Sequence, residues 1–428
     1  MMNLAERDQQ LIWHPYTQMQ TAGLPVAIVK GKDALLYDAA GNTYIDAVSS
    51  WWVNLYGHCH PHIAASIAAQ LQQLDHVIFA GFTHEPAVKL AENLQQVLPQ
   101  NQSRFFYSDN GSTAVEVALK MAFQYWHNLQ KPRNKIIAFR DSYHGDTFGA
   151  MSVSSRSAFT SPFSQYLFDV LFIDVPVPGK EEVTLNQLRE IASRTDIAAF
   201  IYEPLVLGTA GMVMYTPEVL EELLHICREN QILTIADEVM TGFGRTGKYF
   251  ASGYLSQHPD IMCFSKGLTG GVMALGLTTC SDTIYNAFLS TDKAKTFFHG
   301  HSYTANPIAC TAALASLDLL KKPETMQNIE RISSRHKTWR EQIQNHKGCK
   351  AIRQTGTIIA LELNTGATSY FNEVRDELYA LALANGVLLR PLGNVIYIIP
   401  PYCITNQQLQ QVYNVIAKMA DMVAEKYG

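Results

Sequence analysis

The stretch ILTIADEVMTGFGRTGK, residues 232–248, decides the fold. Residues 232–236 form an apolar run that predicts a strand in the interior of a parallel sheet. Asp237 follows this run directly, and ligands of open α/β sheets bind at the edge where the parallel strands end. Lys266 likewise follows an apolar run, residues 261–264, and precedes a glycine-rich stretch. The two opposite charges are therefore predicted to face one bound molecule.

Other apolar runs predict further strands of the same sheet, over residues 104–107, 135–139 and 198–202. Helical patterns lie between them, over residues 113–129 and 217–230. Alternation of short apolar runs with longer helices is typical of βαβ units. We therefore predict an α/β fold with a mostly parallel sheet flanked by helices.

The composition changes near Lys321 and Lys322, which predicts a second, smaller α/β domain. For this domain we predict a charged helix over residues 328–344, a small sheet from residues 356–363, 387–390 and 395–399, and helices over residues 369–385 and 405–426. The irregular N-terminal residues are expected to pack with it. The predicted units are residues 1–46 (N-terminal segment of the small domain), 47–322 (large domain) and 323–428 (C-terminal part of the small domain).

The composition excludes several classes of protein. Of the 428 residues, 47% are hydrophobic and 17% are charged, a balance that supports large buried cores and excludes global disorder. The net charge of −5 lacks the basic footprint that nucleic-acid binding requires, and we expect no membrane-spanning segment. Seven scattered cysteines without a CxxC pair favour a reducing compartment and argue against zinc. We therefore expect no metal site. We also expect a cytoplasmic protein, since the N-terminal residues mix charges and lack the apolar segment of a secretory signal.

Lys266 and Asp237 match the needs of pyridoxal phosphate. This cofactor requires an amine that binds its aldehyde and a carboxylate that keeps its pyridine nitrogen protonated. Lys266 would supply the amine and Asp237 the carboxylate. Each residue alone also fits an ordinary surface lysine or loop aspartate.

Two more segments lie at predicted strand ends. Gly111 and Ser112 precede the helix of residues 113–129, where backbone amides at a helix N-terminus suit a phosphate; an ordinary helix cap is the alternative. Tyr143 follows the strand of residues 135–139, and its ring could lie against a flat cofactor; a surface turn is the alternative. Because each feature meets a separate need of one cofactor, their coincidence favours pyridoxal phosphate.

The segments IADEVMTGFGRTGK, SKGLTGG, SDNGSTAVEVALK and FHGHSYTANPIAC together resemble class III pyridoxal-phosphate aminotransferases of fold type I. The resemblance covers roughly residues 13–402 and implies a homodimer with shared active sites. Lys266, Asp237 and Tyr143 match the catalytic residues of this family, and Gly111 and Ser112 match its phosphate-binding turn.

Two further positions, Ser302 and Gly300, match functional residues of the family. Ser302 stands where the family usually has a threonine that reaches the cofactor phosphate from the other subunit, and its hydroxyl is retained. The resemblance also implies a substrate-binding role for Gly300.

Other segments resemble the members of this family that convert 8-amino-7-oxononanoate to 7,8-diaminononanoate in biotin synthesis: residues 12–17, 48–52, 81–84 and 389–402. By this resemblance Arg390 binds the carboxylate of the oxononanoate, and Tyr16, Trp51 and Tyr397 line the substrate site. Arg390 stands among apolar neighbours, so it needs an anionic partner. That partner could also be an internal acid, and Trp51 could also be core packing.

The amino donor is predicted to be S-adenosylmethionine, because Tyr16 matches, although lysine stays open. Glutamate is disfavoured: relatives that use it carry Gln-Gly-Glu after the Glu-Pro pair, whereas Glu203 and Pro204 are followed here by LVLGTAGM. Nothing in the sequence explains Leu207 in place of a polar residue.

Alternative reactions on the same fold are an ω-aminotransferase acting on a diamine or β-amino acid, and a pyridoxal-phosphate aminomutase. A regulator that binds the cofactor without catalysis is a third alternative. The presence of both Lys266 and Asp237 argues against it.

Overall fold

The computed structural model describes residues 2–366 and 374–427. In this part of the chain the strands are β1 (Ile28–Lys32), β2 (Leu35–Asp38), β3 (Thr43–Asp46), β4 (Arg104–Ser108), β5 (Lys135–Phe139), β6 (Val170–Ile173), β7 (Ile197–Tyr202), β8 (Val206–Leu207), β9 (Val213–Met214), β10 (Leu233–Asp237), β11 (Ile261–Phe264), β12 (Gly276–Cys280), β13 (Cys349–Thr355), β14 (Ile358–Leu363), β15 (Val387–Leu388) and β16 (Val395–Ile398). The α-helices of the same residues are α1 (Leu4–Leu11), α2 (Ser49–Trp52), α3 (Pro61–Leu71), α4 (Glu85–Gln95), α5 (Gly111–Asn128), α6 (Phe148–Ser152), α7 (Glu181–Ala192), α8 (Pro217–Glu229), α9 (Asp282–Asn286), α10 (Pro307–Leu320), α11 (Pro323–Ile343), α12 (Val374–Ala384) and α13 (Asn406–Tyr427). Short 3₁₀ helices cover Ser161–Tyr166, Ala251–Tyr254, Lys266–Thr269 and Lys293–Lys295.

The central sheet has seven strands in the order β4-β12-β11-β10-β7-β5-β6. The neighbours from β11 to β6 are parallel, and β12 alone runs against its neighbours β11 and β4. This confirms the expected α/β fold with a mostly parallel sheet. All residues of β7 and β10 are buried, as their apolar sequences predicted.

Two apolar layers cover the faces of this sheet. Successive side chains of a strand point to opposite faces, so Ile137 and Phe139 of β5 belong to one buried cluster, and Ile136 and Ala138 to another. The first cluster includes residues of α7 and α8, and the second includes residues of α5. Helices on both faces leave the ends of the strands as the open edge.

Smaller sheets involve both ends of the chain. β15 pairs in parallel with β3, which joins the C-terminal region to the sheet β1-β2-β3. β13, β14 and β16 form a separate antiparallel sheet. The prediction of one small sheet containing residues 387–390 was therefore wrong. Strand β13 was not predicted, because its sequence mixes polar and apolar residues; it pairs with β14 through a tight turn. The two residues of β15 form their hydrogen bonds with β3 instead.

The helix predictions agree with the structure within a few residues, and α11 begins five residues before the predicted start, at Pro323. Of the helix predicted for residues 369–385, residues 369–373 lie outside the described residues, and α12 covers Val374–Ala384. The division into residues 1–46, 47–322 and 323–428 stays a prediction. Two features support it: β3 ends at Asp46, and the break between α10 and α11 falls at residues 321–322.

None of the helices in the described residues is both long and apolar enough to cross a membrane.

Candidate active site

A cavity of about 630 Å³ lies where the parallel strands of the central sheet end. Asp237 is the last residue of β10, and Lys266 follows the neighbouring strand β11. Tyr143 enters from the loop after β5, and Glu203 follows β7. The open edge of the sheet therefore brings together the strand-end residues that the sequence predicted, within one cavity.

The carboxylate of Asp237 is buried and held from two sides. Its Oδ1 accepts a hydrogen bond from the backbone N–H of Val239 at 3.0 Å, and its Oδ2 lies 2.7 Å from Nδ1 of His144. The imidazole therefore donates to the carboxylate, since an ionised carboxylate only accepts. His144 is itself fixed, because its backbone N–H donates to Ser154 Oγ at 2.9 Å. The contact between His144 and Asp237 was not predicted from the sequence, although His144 directly follows Tyr143.

The backbone of Lys266 has a φ of 45°, a conformation that residues other than glycine rarely adopt. Burial lowers the pKa of its ammonium group, and the carboxylates of Asp237 and Glu203 oppose this shift. A lowered pKa increases the share of neutral amine, which is the nucleophilic form. Its Nζ lies 5.1 Å from the centre of the Trp52 ring.

The N-terminus of α5 forms a cradle of the kind that binds phosphate. Asn110 caps the helix, and its side chain accepts from the N–H of Thr113 at 3.0 Å. A Cβ at Gly145, where φ is 133°, would lie 2.1 Å from Ser112 Oγ, and a Cβ at Gly111 would lie 2.9 Å from Val239. Only glycine leaves room here, so the backbone of both loops can approach a ligand closely.

Glu203 is buried and links two walls of the site. Its Oε1 accepts from the N–H of Tyr143 at 2.9 Å, and its Oε2 accepts from the N–H of Gly208 at 3.0 Å. Burial raises the pKa of the Glu203 carboxyl from its ordinary value to about 7, with Asp237 adding to the shift and His144 opposing it. In the sequence, this glutamate was noticeable only as part of the Glu-Pro pair.

The unexplained Leu207 has a packing role. It belongs to the short hairpin of β8 and β9, where it pairs with Val213, and its side chain is fully buried in the apolar core. A polar side chain here would need a buried partner.

A second cavity, of about 570 Å³, adjoins the first. Both are lined by Trp52, Val53, Tyr143, Gly145, Asp146 and Lys266. The second cavity also contains the predicted substrate residues Tyr16, Trp51, Arg390 and Tyr397. The two cavities therefore form one site with Lys266 at their junction.

Arg390 lies over Trp51, with its guanidinium carbon 4.2 Å from the centre of the Trp51 ring. Stacking on an aromatic face is a common environment for a guanidinium. Within residues 2–366 and 374–427 no carboxylate forms an ion pair with Arg390. The alternative of a structural ion pair thus finds no support among the described residues.

The predicted aromatic residues take different positions. The phenol of Tyr16 lies 3.3 Å from that of Tyr143 and also donates to Asp146. Burial raises the pKa of the Tyr143 phenol, and its contact with Tyr16 adds to the effect. Tyr397 is buried, and its hydroxyl accepts from Nε1 of Trp52 at 3.0 Å.

Gly300 and Ser302 lie apart from these residues. Both are exposed, and neither lines the two cavities of the same chain. Their predicted roles, of which that of Ser302 is on a partner subunit, stay predictions. No cluster of three or more potential metal ligands occurs in the portion of the chain that the structure describes.

A lysine with a lowered pKa, a buried carboxylate on the neighbouring strand and a helix N-terminus shaped for phosphate fit pyridoxal phosphate. Lys266 would bind its aldehyde, Asp237 its ring nitrogen and the turn at Gly111 and Ser112 its phosphate. The fold and the site define a pyridoxal-phosphate-dependent enzyme.

Comparison with known proteins identifies the family. The model of the aminotransferase class-III family matches residues 16–420, so the chain belongs to the class-III aminotransferases. It is 47% identical over 420 residues to adenosylmethionine-8-amino-7-oxononanoate aminotransferase of Synechococcus elongatus, covering 96% of this chain and 99% of that one.

Solved structures of transaminases are similar to this chain over nearly its full length. The crystal structure of the enzyme of the same name from Methanocaldococcus jannaschii has a TM-score of 0.93 and 33% identity, over 98% of this chain and 99% of that one. The omega transaminase of Pseudomonas jessenii in complex with PMP has a TM-score of 0.93 and 25% identity, over 100% of this chain and 99% of that one.

Proposed function

We propose that this enzyme transfers an amino group to 8-amino-7-oxononanoate, giving 7,8-diaminononanoate for biotin synthesis, with S-adenosylmethionine as donor. The observation that carries the proposal is the guanidinium of Arg390, which lines the second cavity at Trp51 without an ion-pair partner among the described residues. A half-buried guanidinium of this kind suits a substrate with a carboxylate far from its reacting carbon. The name of the relative from Synechococcus elongatus supports this substrate.

When bound, pyridoxal phosphate supplies an aldehyde that exchanges amines and a ring that accepts electrons from the substrate carbon. The protein holds it in place and moves the protons. Lys266 would bind the cofactor aldehyde at rest and, as a free amine, would move a proton from the reacting substrate carbon to the former aldehyde carbon as general base and then general acid. Asp237, held by His144, would bind the ring nitrogen.

The second cavity positions the two substrates in turn. Arg390 binds the distal carboxylate of the oxononanoate, so that its ketone carbon lies near Lys266. The aromatic surface of Tyr16 and Trp51 suits the methylene chain, and it also suits the sulfonium cation of the donor. One cavity can therefore serve both halves of the reaction.

We further propose that two copies of this chain share their active sites. Phe298 and Tyr303, which flank Gly300 and Ser302 in the chain, have exposed apolar side chains, and so do Ile78 and Phe82. The segment around Tyr303 lies beside His76, with ring centres 5.4 Å apart, so part of this surface is continuous. Large exposed apolar residues in a group are typical of a protein interface.

The oligomer is tested by mass measurement in solution and by mixing. A Lys266→Ala chain and a Ser302→Ala chain, each of reduced activity, would form mixed dimers. Such a dimer has one site with both wild-type residues if Ser302 acts across the interface, so mixing should restore activity. No recovery in a dimer shown to exchange subunits would contradict the role of Ser302.

We also propose a cytoplasmic location. All seven cysteines are free in the structure, as a reducing compartment requires. Localisation of a tagged chain by cell fractionation tests this.

The function is tested by supplying 8-amino-7-oxononanoate with S-adenosylmethionine, lysine, glutamate or a diamine, and detecting diaminononanoate by mass spectrometry. We expect product with S-adenosylmethionine. Deamination of a diamine with a keto acid as the amino acceptor, without any conversion of the oxononanoate, would favour an ω-aminotransferase. Conversion of the cofactor to its amine form by the donor alone, with release of a keto product, would exclude an aminomutase.

A further inference from the structure

The segment Ser49–Trp52, assigned above as the short helix α2 and here called the tryptophan turn, has a backbone that departs from helical geometry. Ser49, Ser50 and Trp52 have φ angles of 51°, 59° and 66°, in the left-handed region that side chains disfavour. Such a run of residues persists only where the surrounding structure holds it, and it is typical of functional sites.

The tryptophan turn presents its two indoles to the two charged groups of the site. The Trp51 ring lies 4.2 Å from the guanidinium carbon of Arg390, and the Trp52 ring lies 5.1 Å from Nζ of Lys266. Any change in the turn therefore alters the environment of the carboxylate-binding group and of the reacting amine together.

Asp46 holds the start of the turn. Its carboxylate is fully buried, and it lines neither of the two cavities. Oδ1 accepts from the backbone N–H of Val48 at 3.3 Å and of Ser50 at 2.8 Å. Oδ2 accepts from Ser50 Oγ at 3.0 Å and lies 2.9 Å from Nε2 of His58. A buried carboxylate with all these donors fixes the backbone at Ser50.

Other contacts hold the rest of the turn. Ser49 Oγ donates to the carbonyl of Ile399 at 2.8 Å, and the buried guanidinium of Arg245 donates to the carbonyl of Trp52 at 3.4 Å and to that of Asn54 at 3.1 Å. None of these contacts involves Ser50, whose backbone N–H and hydroxyl both donate to Asp46.

We propose that Asp46 is a positioning residue for substrate binding: its carboxylate holds the tryptophan turn, and the turn sets the position of Arg390 relative to Lys266. The inference rests on the proposed function for the role of Arg390. Asp46 touches neither substrate nor cofactor, and its effect passes through Trp51 and Trp52.

The test compares Asp46→Asn with Asp38→Asn. Asp38 is a matched control, because its carboxylate also accepts two backbone and two side-chain hydrogen bonds, and its turn lies between β2 and β3, away from both cavities. Ser50→Ala is a milder second variant that removes only one bond to Asp46. All three are made in the full-length holoenzyme.

Hydrogen exchange measured by mass spectrometry reports on the turn without any substrate. We expect peptides covering residues 47–55 to exchange at least about tenfold faster in Asp46→Asn, and less so in Ser50→Ala. Asp38→Asn should leave them unchanged. We also expect the KM for 8-amino-7-oxononanoate to rise at least about tenfold in Asp46→Asn, while the affinity for the cofactor stays within about twofold.

Unchanged exchange of residues 47–55 in both Asp46→Asn and Ser50→Ala would overturn the proposal. So would faster exchange with an unchanged KM, or an equal loss of cofactor and substrate affinity. If the wild-type enzyme does not convert the oxononanoate, the proposed function fails instead. The exchange measurement and the KM of whichever substrate the wild type accepts then decide the role of Asp46.

Discussion

Nδ1 of His144 lies 2.7 Å from Oδ2 of Asp237, and both side chains are buried at the end of the central sheet. The two residues are 93 positions apart in the chain. The imidazole orients a carboxylate that would otherwise have one hydrogen-bond donor, the N–H of Val239. We therefore expect His144 to affect the reaction through Asp237.

Replacing His144 tests this relationship. His144→Ala should lower kcat about tenfold with a smaller change in KM, since one charge-assisted hydrogen bond to Asp237 is lost. His144→Asn, which can place an N–H near the former Nδ1, should recover part of the loss. Steady-state kinetics of both variants, with the exposed His127→Ala as control, provide the measurement. Equal rates in the Ala and Asn variants would count against a positioning role.

Lys266→Ala should bind pyridoxal phosphate without a covalent bond and should lose turnover about 10²–10⁴-fold, because the proton-transferring amine is absent. The near-visible absorbance of the loaded protein and the retention of cofactor after denaturation report on attachment. Lys248→Ala, which removes an exposed lysine from the same domain, should behave as wild type. Full turnover in Lys266→Ala would refute the assignment.

Arg390→Ala should raise the KM for 8-amino-7-oxononanoate about 10–100-fold and affect the donor less, because a charged hydrogen bond to the distal carboxylate is lost. Kinetics with each substrate varied separately measure the difference. Arg194→Ala, at an exposed pair with Asp196, is the control. Equal effects on both substrates would show that Arg390 does not select the carboxylate.

Gly145→Ala should weaken cofactor binding by at least about tenfold, because the new Cβ would meet Ser112 Oγ at 2.1 Å. The matched control is Gly179→Ala, which has a φ of +84° but no atom within 4 Å of its Cβ. Both variants carry the backbone strain of a positive φ, so only the first should change the dissociation constant of pyridoxal phosphate in a fluorescence titration. Equal affinities would mean that the phosphate does not sit at this turn.

The buried Glu203 predicts a pH dependence of stability. Its pKa is raised from 4.5 to about 7, so the folded state binds this proton more tightly than the unfolded chain does. The resulting contribution to stability is present below pH 4.5 and is lost as the pH rises through about 7, by about 3 kcal/mol.

Glu203→Gln cannot titrate, so its free energy of unfolding should lack this decline. Urea unfolding of both proteins between pH 5 and pH 8 should show the Gln variant gaining on the wild type as the pH rises. A constant difference between the two across this range would contradict the raised pKa.

Much of this protein could be derived from local patterns. The apolar runs of β7 and β10 indicated buried parallel strands, and the ends of β10 and β11 marked Asp237 and Lys266 as partners. These features are readable because burial on both faces of a sheet requires apolar residues in succession, and because parallel strands bring their ends to one edge. The resemblance of short motifs to class III aminotransferases then indicated the cofactor.

Only the tertiary structure decided the contacts between distant segments. His144 contacts Asp237, Glu203 is buried between two loops, and Arg390 stacks on Trp51. Strand β15 pairs with β3 and not with the predicted small sheet. Such contacts depend on how whole elements pack, so no local periodicity encodes them. The positive φ angles of the tryptophan turn are likewise not predictable from its sequence, because tertiary contacts from Asp46, Ile399 and Arg245, and not the preferences of its own residues, hold it in place.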